Sequence, residues 1–518
     1  MSSDASPPSL EAHFPIHLGC VDAGSNGVRM AAARFADPNH FTLLEYQRSS
    51  VRLGHEVFLS GRLSDATIEA GIAAFRSFRQ RFDDLGVRKW RAVATSAVRE
   101  ASNGADFLAR VRQECGLELE IITGAEEARL VHLAVSRRIM LGDRQWLIVD
   151  LGGGSVEVSL VDADGIRWIE SHTMGSVRLL EELTASGEDP SRFLQLLEEY
   201  SSTLRLPPNT AGASIGYIAT GGNIETLARL AGSPADAQGV SRLAMGDLRG
   251  LIERLARMPY HQRVVELGLR PDRADVILPA GIVYERLGKL LGAAEIVVPG
   301  VGVKDGILYD LAGELVPEAA EVRHDRQVEE AAIMLGRKYL FDEAHGRHVA
   351  LLAISIFDQT RSLHGLDRQS RRILLAAGIL HEIGSFVSRS GHHRHSMYLI
   401  SASGLLGFSP EEIDVVANVA RYHRKSPPKP EHEAFQKLSK ANRQRTMKLA
   451  ALLRVADALD RDHAQRVQSV HVREDKSTMK LLVQSKGGLL LEAWSLKERS
   501  DLFRMVFGKK VTMELLPN

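Results

Sequence analysis

The stretch Ile148–Glu157, IVDLGGGSVE, decides how the rest of the chain is interpreted. Its apolar start is typical of a buried β-strand with Asp150 at the tip. Three glycines that permit a tight turn follow this strand: Gly152, Gly153 and Gly154. Such a turn exposes backbone N–H groups to an anion, and the Ser155 hydroxyl adds a donor. Because Asp150 and Glu157 are placed to hold a divalent cation, the stretch predicts a site for a phosphate and a metal ion.

A similar pattern occurs upstream, in Val21–Arg29, VDAGSNGVR. Asp22 again ends a predicted strand, and the turn that follows contains Gly24, Ser25 and Asn26. Two copies more than 100 residues apart predict a duplicated α/β domain whose two phosphate loops face each other across a cleft. This pattern resembles that of the actin, sugar-kinase and heat-shock ATPase superfamily.

Two further segments carry anion-binding candidates. In Tyr217–Leu230, YIATGGNIETLARL, a predicted strand runs into Gly221 and Gly222 at the start of a helix, where exposed N–H groups favour anions. Arg99 follows the predicted strand Trp90–Ala94. Because ligands of open α/β sheets bind at strand ends, Arg99 either reaches a phosphate or lies on the surface of a helix's first turn.

Two acids, Glu126 and Glu127, open a predicted helix after the turn at Thr123 and Gly124. Acids in a first helical turn ordinarily complement the helix dipole. The alternative is that one of them points into the cleft as a general base for water that attacks a phosphoryl group. The sequence by itself leaves both interpretations open.

The composition is that of a globular protein with several domains. The chain has 518 residues, of which 44% are hydrophobic and 25% charged, and three or four domains are expected. Its net charge is zero, so no overall field attracts a polyanion, and we expect no DNA partner. The start MSSDASPPSL predicts a short disordered lead, and no apolar run predicts a membrane span. Since only Cys20 and Cys115 are present, we expect no disulfide framework and a cytoplasmic location.

The pattern of elements predicts four domains. Two α/β domains are expected at 15–137 and 138–316, a helical domain at 322–465 and a small α/β domain at 466–518. In the first domain, Val51–Gly61 is predicted to be a loop, and Ser64 is expected to cap a helix over Ala66–Leu85. Helices predicted in the third domain include His348–Leu363 and Arg371–Arg389. A strand is predicted at Leu489–Ala493 near the C-terminal end.

Several motifs, in this order, resemble the exopolyphosphatase and guanosine pentaphosphate phosphohydrolase family. They are VDAGSNGVRM, ATSAVRE, IITGAEEARL, VDLGGGSVEVSL, MGSVRL, ATGGN and the later LHEIG and HHRHS. The resemblance covers nearly the whole chain. It implies two actin-like, ribonuclease H-like domains that face a cleft, followed by an all-helical HD-like domain and a small α/β domain.

The resemblance also implies roles for single residues. Glu127 matches the family's catalytic base, and Asp150 and Glu157 match acids that bind Mg²⁺ or Mn²⁺ and support catalysis. The implied phosphate-binding residues are Asp22, Gly24, Ser25, Asn26, Arg99, Gly152, Gly153, Gly154, Ser155, Gly221 and Gly222. A homodimer is also implied.

The chain departs from the family pattern at three places. Gly27 offers only backbone contacts in the first loop, and Lys304 stands where an arginine is common. In the helical domain, the expected His-Asp pair is His381 followed by Glu382.

An HD site would bring together His348, His381, position 382 and Asp457. It either keeps a metal, with glutamate as a ligand, or is vestigial. The segment GHHRHS, which contains His392, His393 and His395, is expected to be a polar, phosphate-facing or solvated loop.

Basic residues are concentrated in the segment 421–448, with nine Lys or Arg and two Glu. This segment is either a solvated loop or an electrostatic track for a long polyanion. The two interpretations remain open at this stage.

The resulting expectation is a Mg²⁺-dependent exopolyphosphatase that releases orthophosphate from inorganic polyphosphate. The alternative within the family is the conversion of guanosine pentaphosphate to tetraphosphate. A non-catalytic sensor of polyphosphate or alarmone, and a kinase that transfers phosphate from polyphosphate to a nucleoside diphosphate, are alternatives of other classes.

Overall fold

The computed structural model describes residues 14–162, 165–185, 193–206, 215–405, 407–429 and 431–516. The expected disordered lead and most of the Pro-rich stretch LRLPPNT, residues 204–210, lie outside these ranges. The chain divides into two compact units, residues 1–320 and 321–518, each of which is described by itself.

The first unit begins with a five-stranded sheet in the order β3-β2-β1-β4-β5. Its strands are β1 (Ile16–Gly24), β2 (Gly27–Asp37), β3 (His40–Ser49), β4 (Lys89–Ala94) and β5 (Leu119–Ile121). The helices of this part are α1 (Gly54–Ser60), α2 (Asp65–Asp84), α3 (Ser96–Glu100), α4 (Gly104–Cys115) and α5 (Gly124–Arg138).

A second sheet follows, with six strands in the order β10-β11-β9-β6-β7-β8. Its strands are β6 (Trp146–Leu151), β7 (Val156–Asp162), β8 (Gly165–His172), β9 (Gly216–Thr220), β10 (Ser241–Ala244) and β11 (Glu295–Val298). The helices are α6 (Ser176–Ala185), α7 (Phe193–Ser201), α8 (Gly222–Leu230), α9 (Met245–Arg257), α10 (Tyr260–Val265), α11 (Pro271–Ala274), α12 (Ile277–Leu291) and α13 (Val303–Glu314).

The two sheets share one topology, which confirms the predicted duplication. In the first, β3, β2 and β1 form an antiparallel meander, and β4 and β5 continue it in parallel. In the second, β8, β7 and β6 form the meander, and β9 and β11 continue it. The strands that end in the two glycine-rich turns, β1 and β6, therefore occupy equivalent positions. The predicted fold class, a pair of actin-like α/β domains, is confirmed.

Two helices each pack on the opposite sheet from the one that contains the strand immediately before them in the sequence. Val131, Ala134 and Val135 of α5 join the core of the second sheet with Trp146 and Ile148. Conversely, α13 packs its residues Ile307, Leu308 and Leu311 on the first sheet. The helices α5 and α13 approach each other closely. A Cβ added at Gly306 of α13 would lie 2.1 Å from the carbonyl oxygen of Leu130 in α5. This exchange fixes the start of α5 beside the second sheet.

Local signals predicted some elements well and missed others in this unit. Ser64 caps α2 as expected, since its side chain accepts a hydrogen bond from the Thr67 N–H group. The loop predicted at Val51–Gly61 was wrong, because residues 54–60 form α1. This short helix is held by tertiary contacts: the Gly54 N–H group donates to the Ser25 carbonyl at 2.9 Å.

The second unit is mostly helical and ends in a small α/β part, as the sequence predicts. Its helices are α14 (Pro317–Lys338, which contains the boundary), α15 (Glu343–Gln359), α16 (Arg361–His364), α17 (Arg368–Leu380), α18 (His392–Ser401), α19 (Pro410–Arg421), α20 (Glu433–Gln436) and α21 (Lys440–Ala458). The end comprises β12 (Val467–Glu474), β13 (Thr478–Ser485), α22 (Leu490–Arg499), α23 (Asp501–Phe507) and β14 (Lys510–Leu515). None of the described helices is both long and apolar enough to cross a bilayer.

Three predictions for this unit were wrong. The strand predicted at Leu489–Ala493 is the start of α22, and the third strand of the sheet is β14. The helix predicted over Arg371–Arg389 ends at Leu380 and is followed by a 3₁₀ turn, Ile383–Phe386. The GHHRHS segment is not a loop, because it begins α18.

Candidate active site

The two glycine-rich turns of the first unit contact each other at the wall of a cavity of about 500 Å³. A Cβ added at Gly153 would lie 2.9 Å from the Ser25 Cβ and 3.2 Å from the Asn26 nitrogen. The Ser25 and Ser96 hydroxyls are 3.0 Å apart and buried. The structure therefore brings the two predicted phosphate loops together, and the end of β4 joins them.

The second turn is supported from behind by the MGSVRL segment. The carbonyl oxygen of Gly153 accepts a hydrogen bond from the Val177 N–H group at 2.8 Å, and that of Gly154 accepts one from the Arg178 Nε at 2.8 Å. A Cβ added at Gly175 would lie 2.3 Å from the Gly153 carbon and the Gly154 nitrogen. In the sequence this segment stands out only as one of the family motifs. Its supporting role depends on contacts between residues more than 20 positions apart in the sequence.

Three carboxylates lie near the turns. Glu127 is buried in the first turn of α5, Glu157 is buried on β7, and Asp150 lies at the end of β6. Burial, reinforced by the neighbouring Glu157, raises the pKa of Glu127 well above its usual value. Burial and the nearby Asp150 raise the pKa of Glu157 to about 7. Burial likewise raises the pKa of Asp150, although its carboxylate accepts a hydrogen bond from the Thr220 hydroxyl at 2.6 Å.

Close packing places Glu157 beneath the start of α5. A Cβ added at Gly124 would lie 3.1 Å from the Glu157 Oε1 and 2.6 Å from the Ser171 Oγ. The Ser171 hydroxyl donates to that same Oε1 at 2.9 Å. The other oxygen, Oε2, is buried and has no hydrogen-bond partner among the described residues. A buried carboxylate oxygen without a donor is costly, so this arrangement suits a cation.

The structure separates the two acids that the sequence left equivalent. Glu126 pairs with Arg91 and Arg129, the latter through Nε to Oε2 at 2.7 Å. Glu127 instead lines the cavity. The first acid therefore belongs to an ion-pair network, and the second faces the site.

Arg99 does not line the cavity in the part of the chain that the structure describes. Its guanidinium donates to the Ile122 carbonyl and to the Glu127 Oε1, the latter at 3.3 Å. Arg99 therefore contacts the candidate base, where the sequence analysis expected a contact with phosphate. Its charge partly opposes the rise in the pKa of Glu127.

The third glycine turn closes another side of the cavity. Gly221 adopts φ 98°, a conformation that favours glycine, and Gly222 begins α8. A Cβ added at Gly222 would lie 2.6 Å from the Arg273 Nη2. Asn223, the next residue of this turn, accepts a hydrogen bond from Arg273.

The cavity wall also carries cations that the sequence analysis did not assign to phosphate binding. These lining cations are Arg29, Arg48, Arg229, Arg270, Arg273 and Lys304. Burial and the neighbouring arginines lower the pKa of Arg273 to about 10. Mutual repulsion of this kind is relieved when an anion binds between the groups. Except for Arg29 in the first motif and Lys304 in GVKDG, no local pattern marks these residues.

Substitution of Glu157 by Gln is expected to stabilise the metal-free protein at alkaline pH. The folded-state pKa lies above the unfolded value, so the folded chain binds more protons, and stability falls as pH rises from about 4.5 to about 7. At about 1.4 kcal/mol per pKa unit, the stability gained by the variant at pH values above this window is on the order of 3 kcal/mol. The gain in stability is measured from the melting temperatures of both proteins in EDTA over a range of pH values.

Glu118→Gln is a suitable control because Glu118 is exposed. This control should melt like the wild type at every pH. If the melting temperatures of Glu157→Gln and wild type depended on pH in the same way, burial of the Glu157 carboxylate would not be the cause of the pH dependence.

Comparison with known proteins identifies the family of the chain. The sequence model of the Ppx/GppA phosphatase family matches residues 34–315. That of the Ppx/GppA phosphatase domain III matches residues 328–501.

Solved structures are similar to part of the chain. One is an exopolyphosphatase from Cytophaga hutchinsonii, with 25% identity and a TM-score of 0.53, covering 57% of this chain and 97% of that chain. An exopolyphosphatase-like protein has 24% identity and a TM-score of 0.51, covering 58% and 99%. The Aquifex aeolicus PPX-GPPA enzyme has 29% identity and a TM-score of 0.48, covering 57% and 99%.

The first family match alone spans more than half of the chain, and the second follows it in the expected order. The matched residues include the second and third glycine turns together with Glu127, Asp150 and Glu157, whereas the first turn precedes residue 34. We conclude that the chain belongs to the Ppx/GppA phosphatase family and is a phosphoanhydride hydrolase.

Proposed function

We propose that the protein is an exopolyphosphatase that hydrolyses the terminal phosphoanhydride bond of inorganic polyphosphate. The observation that carries this proposal is Glu127, a buried acid of raised pKa at a cavity lined by phosphate loops and six cations. The description of a similar solved structure as an exopolyphosphatase supports it.

In the proposed reaction, the terminal phosphoryl group binds between the two contacting turns. The Gly152 N–H group already donates to the Ser155 carbonyl at 3.0 Å, so the N–H groups of Gly153 and Ser155, which both line the cavity, are the proposed donors. Gly154 does not line the cavity among the described residues. The Ser25 hydroxyl adds a donor from the first turn. Such fixed dipoles stabilise the charge of the phosphoryl group without reorganisation during the reaction.

Glu127 is the proposed general base. It accepts the proton of a water molecule that attacks the terminal phosphorus in line with the leaving oxygen. A base is most effective when its pKa is near the working pH, and burial raises the pKa of Glu127 in that direction. Arg99 contacts the same carboxylate and orients it.

Asp150 and Glu157 are the proposed ligands of Mg²⁺ or Mn²⁺. Both are carboxylates, which these ions prefer, and the partnerless Glu157 Oε2 fits a ligand role. When bound, the ion neutralises charge on the phosphoryl oxygens. A divalent ion bound by these acids would favour their charged forms and oppose the rise in pKa that burial causes.

The cavity wall favours a phosphate chain over a nucleotide. Among the described residues that line it, Tyr46 is the one aromatic side chain on which a guanine could stack. The lining instead offers six cations to a polyanion, of which Arg29, Arg48, Arg270 and Lys304 also pair with aspartates. Guanosine pentaphosphate is therefore the second candidate substrate, and its recognition would depend on Tyr46.

We expect the wild type to release orthophosphate from long-chain polyphosphate with a kcat/KM at least ~10-fold above that for guanosine pentaphosphate. Both substrates are compared with Mg²⁺ at equal ionic strength. Tyr46→Ala should lower turnover of the nucleotide more than that of polyphosphate. A preference for the nucleotide would establish the second candidate instead.

Two other results would assign the protein to a different functional class. Binding of polyphosphate without hydrolysis of either substrate would indicate a sensor, and ATP formed from added ADP would indicate a kinase. The homodimer implied by the family resemblance is tested separately by sedimentation.

Arg270→Gln is expected to raise KM for long polyphosphate several-fold while leaving kcat nearly unchanged. Arg270 lines the cavity, its side chain is 54% exposed, and it touches no catalytic carboxylate named above. Removing one cation that contacts a polyanion should also weaken the dependence of KM on salt. KM is measured at low and high ionic strength.

Arg257→Gln provides the matched control. Arg257 belongs to α9, its side chain is 81% exposed, and it does not line the cavity. An equal rise in KM for both variants would show that overall charge, and not the cavity wall, attracts the substrate.

A further inference from the structure

The second unit contains a buried cluster of imidazoles and carboxylates that the proposed hydrolysis does not use. Its members come from helix α15, from the residues that follow α17 and α19, from the start of α18, from α21 and from the turn after it. They are His345, His381, Glu382, His392, His423, Asp457, Asp460 and His463.

Three of these residues converge most closely. The Nε2 atoms of His345 and His381 are 3.2 Å apart. The Asp457 Oδ1 lies 3.6 Å from the His381 Nε2 and 3.8 Å from the His345 Nε2. The three residues are no more than 2% exposed. Three potential ligand atoms therefore surround one buried point.

The hydrogen bonds of the other ring nitrogens determine the tautomers. The His381 Nδ1 lies 2.7 Å from the Gly378 carbonyl oxygen, which can only accept, so this nitrogen carries the proton. The His345 Nδ1 lies 2.9 Å from the Asp460 carboxylate. The Asp460 carboxylate also accepts a hydrogen bond from the Gln465 N–H group at 2.7 Å, so Asp460 acts as an acceptor. Both imidazoles therefore donate through Nδ1.

Two lone pairs consequently face each other at the centre of the cluster. With Nδ1 as the donor in each neutral ring, the Nε2 atoms of His345 and His381 are unprotonated. Two neutral acceptors at 3.2 Å cannot hydrogen bond to each other. A cation bound between them would satisfy both lone pairs and the Asp457 Oδ1.

The surrounding groups complete the pattern of a metal site. Histidine ligands of metals usually donate their other ring N–H to a carboxylate or carbonyl, as His345 and His381 do here. Arg499 pairs with the other carboxylate oxygen of Asp457, Oδ2, which orients this residue and leaves Oδ1 available.

Two further residues extend the cluster. Glu382 and His423 form a second potential ligand group with His381. The His423 Nδ1 lies 2.7 Å from the Ala420 carbonyl oxygen, so its Nε2 is also an unprotonated acceptor. The Nε2 of His392 lies 3.3 Å from the Arg424 Nη1, from which it can accept a hydrogen bond. His392 is therefore assigned no ligand role.

We propose that His345, His381 and Asp457 bind a divalent transition-metal ion, with Glu382 and His423 within reach of it or of a second ion. Imidazole nitrogens together with a carboxylate favour Zn²⁺, Mn²⁺, Fe²⁺ or Co²⁺ over Mg²⁺, which prefers oxygen ligands. This site is distinct from the proposed Mg²⁺ site at Asp150 and Glu157.

The proposal corrects the sequence-based ligand set. The sequence analysis placed His348 in the site, but the structure places His345 there, one helical turn earlier on α15. The difference arises because the helix begins at Glu343, capped by Asp342, and not at His348. The Nε2 of His348 has no hydrogen-bond partner among the described residues, yet it belongs to none of the ligand groups.

The test measures bound metal on the full-length chain. The background carries Asp150→Asn and Glu157→Gln, so that the cleft does not contribute. Protein stripped with a chelator is incubated with Zn²⁺, Co²⁺ or Mg²⁺ alone, desalted and analysed by mass spectrometry for metal content. We expect about one equivalent or more of Zn²⁺ or Co²⁺ per chain, no retained Mg²⁺, and visible Co²⁺ absorption bands from nitrogen and oxygen ligands.

Three variants locate the ion. His381→Gln and Asp457→Asn should each lose the Co²⁺ bands and bind Zn²⁺ at least about 10- to 100-fold more weakly. His348→Gln, on the same helix as His345, should retain both. Circular dichroism verifies that each variant is folded. If His381→Gln does not fold, the isosteric variant Asp457→Asn provides the test of metal binding. The proposal would be overturned if the protein with unchanged His345, His381 and Asp457 retained no Zn²⁺ or Co²⁺. It would also be overturned if folded His381→Gln or Asp457→Asn protein retained as much of these ions as the protein with unchanged ligands.

Discussion

Glu127→Gln is expected to lower kcat for polyphosphate hydrolysis by about 10²- to 10⁴-fold, the usual contribution of a positioned general base. Glutamine has nearly the same shape and keeps an oxygen that can accept the Arg99 hydrogen bond, but it cannot take a proton from water. Because burial already disfavours the charged form of Glu127, the variant should fold and melt at or above the wild-type temperature. Steady-state kinetics and melting curves measure the two effects.

Glu126→Gln is the matched control, since it changes the neighbouring acid of the same helical turn. Glu126 pairs with Arg91 and Arg129, so its loss should reduce stability while kcat stays within a few-fold of wild type. If Glu126→Gln abolishes hydrolysis and Glu127→Gln does not, the assignment of the base is wrong.

Gly175→Ala is expected to lower kcat/KM by about 10²-fold or more through misplacement of the second phosphate loop. The added Cβ would lie 2.3 Å from the Gly153 carbon and the Gly154 nitrogen. These are backbone atoms, so the loop itself must shift, and no side chain can rotate away to relieve the clash. Gly175 contacts the back of the loop, so the variant tests its position without changing a proposed phosphate contact.

Gly246→Ala controls for the general effect of replacing glycine in this unit. Gly246 lies in the first turn of α9, and an added Cβ would meet no atom within 4 Å. We expect unchanged kinetics and a stability equal to or up to ~1 kcal/mol above wild type. Equal kinetics for Gly175→Ala and wild type would show that the loop tolerates displacement and does not position the phosphate.

The predictions that succeeded depend on signals contained in a few adjacent residues. An aspartate at a strand end followed by glycines marked both loops, because only such residues permit the tight turn and the close approach of the backbones. Ser64 marked a helix start, and its side chain accepts the expected N–H hydrogen bond. Repetition of the strand-turn pattern sufficed to predict the duplicated domain.

The errors occurred where packing between distant residues overrode local preference. The apolar run at Leu489–Ala493 suits a strand as well as a helix, and the protein uses it in α22 while β14 completes the sheet. In α1, contacts with the first phosphate loop stabilise a helix within a segment that reads as a loop.

The sequence by itself determined the fold class, the family and the positions of the three glycine turns, because local backbone chemistry and motif order specify them. Only the tertiary structure decided that Glu127 and not Glu126 faces the cavity, that Arg99 contacts the base, and that His345 replaces His348 in the buried cluster. The third distinction depends on where helix α15 begins, and the first two depend on the rotation of a helix about its axis. That rotation is set by what the helix packs against, and the packing partners lie far away in the sequence.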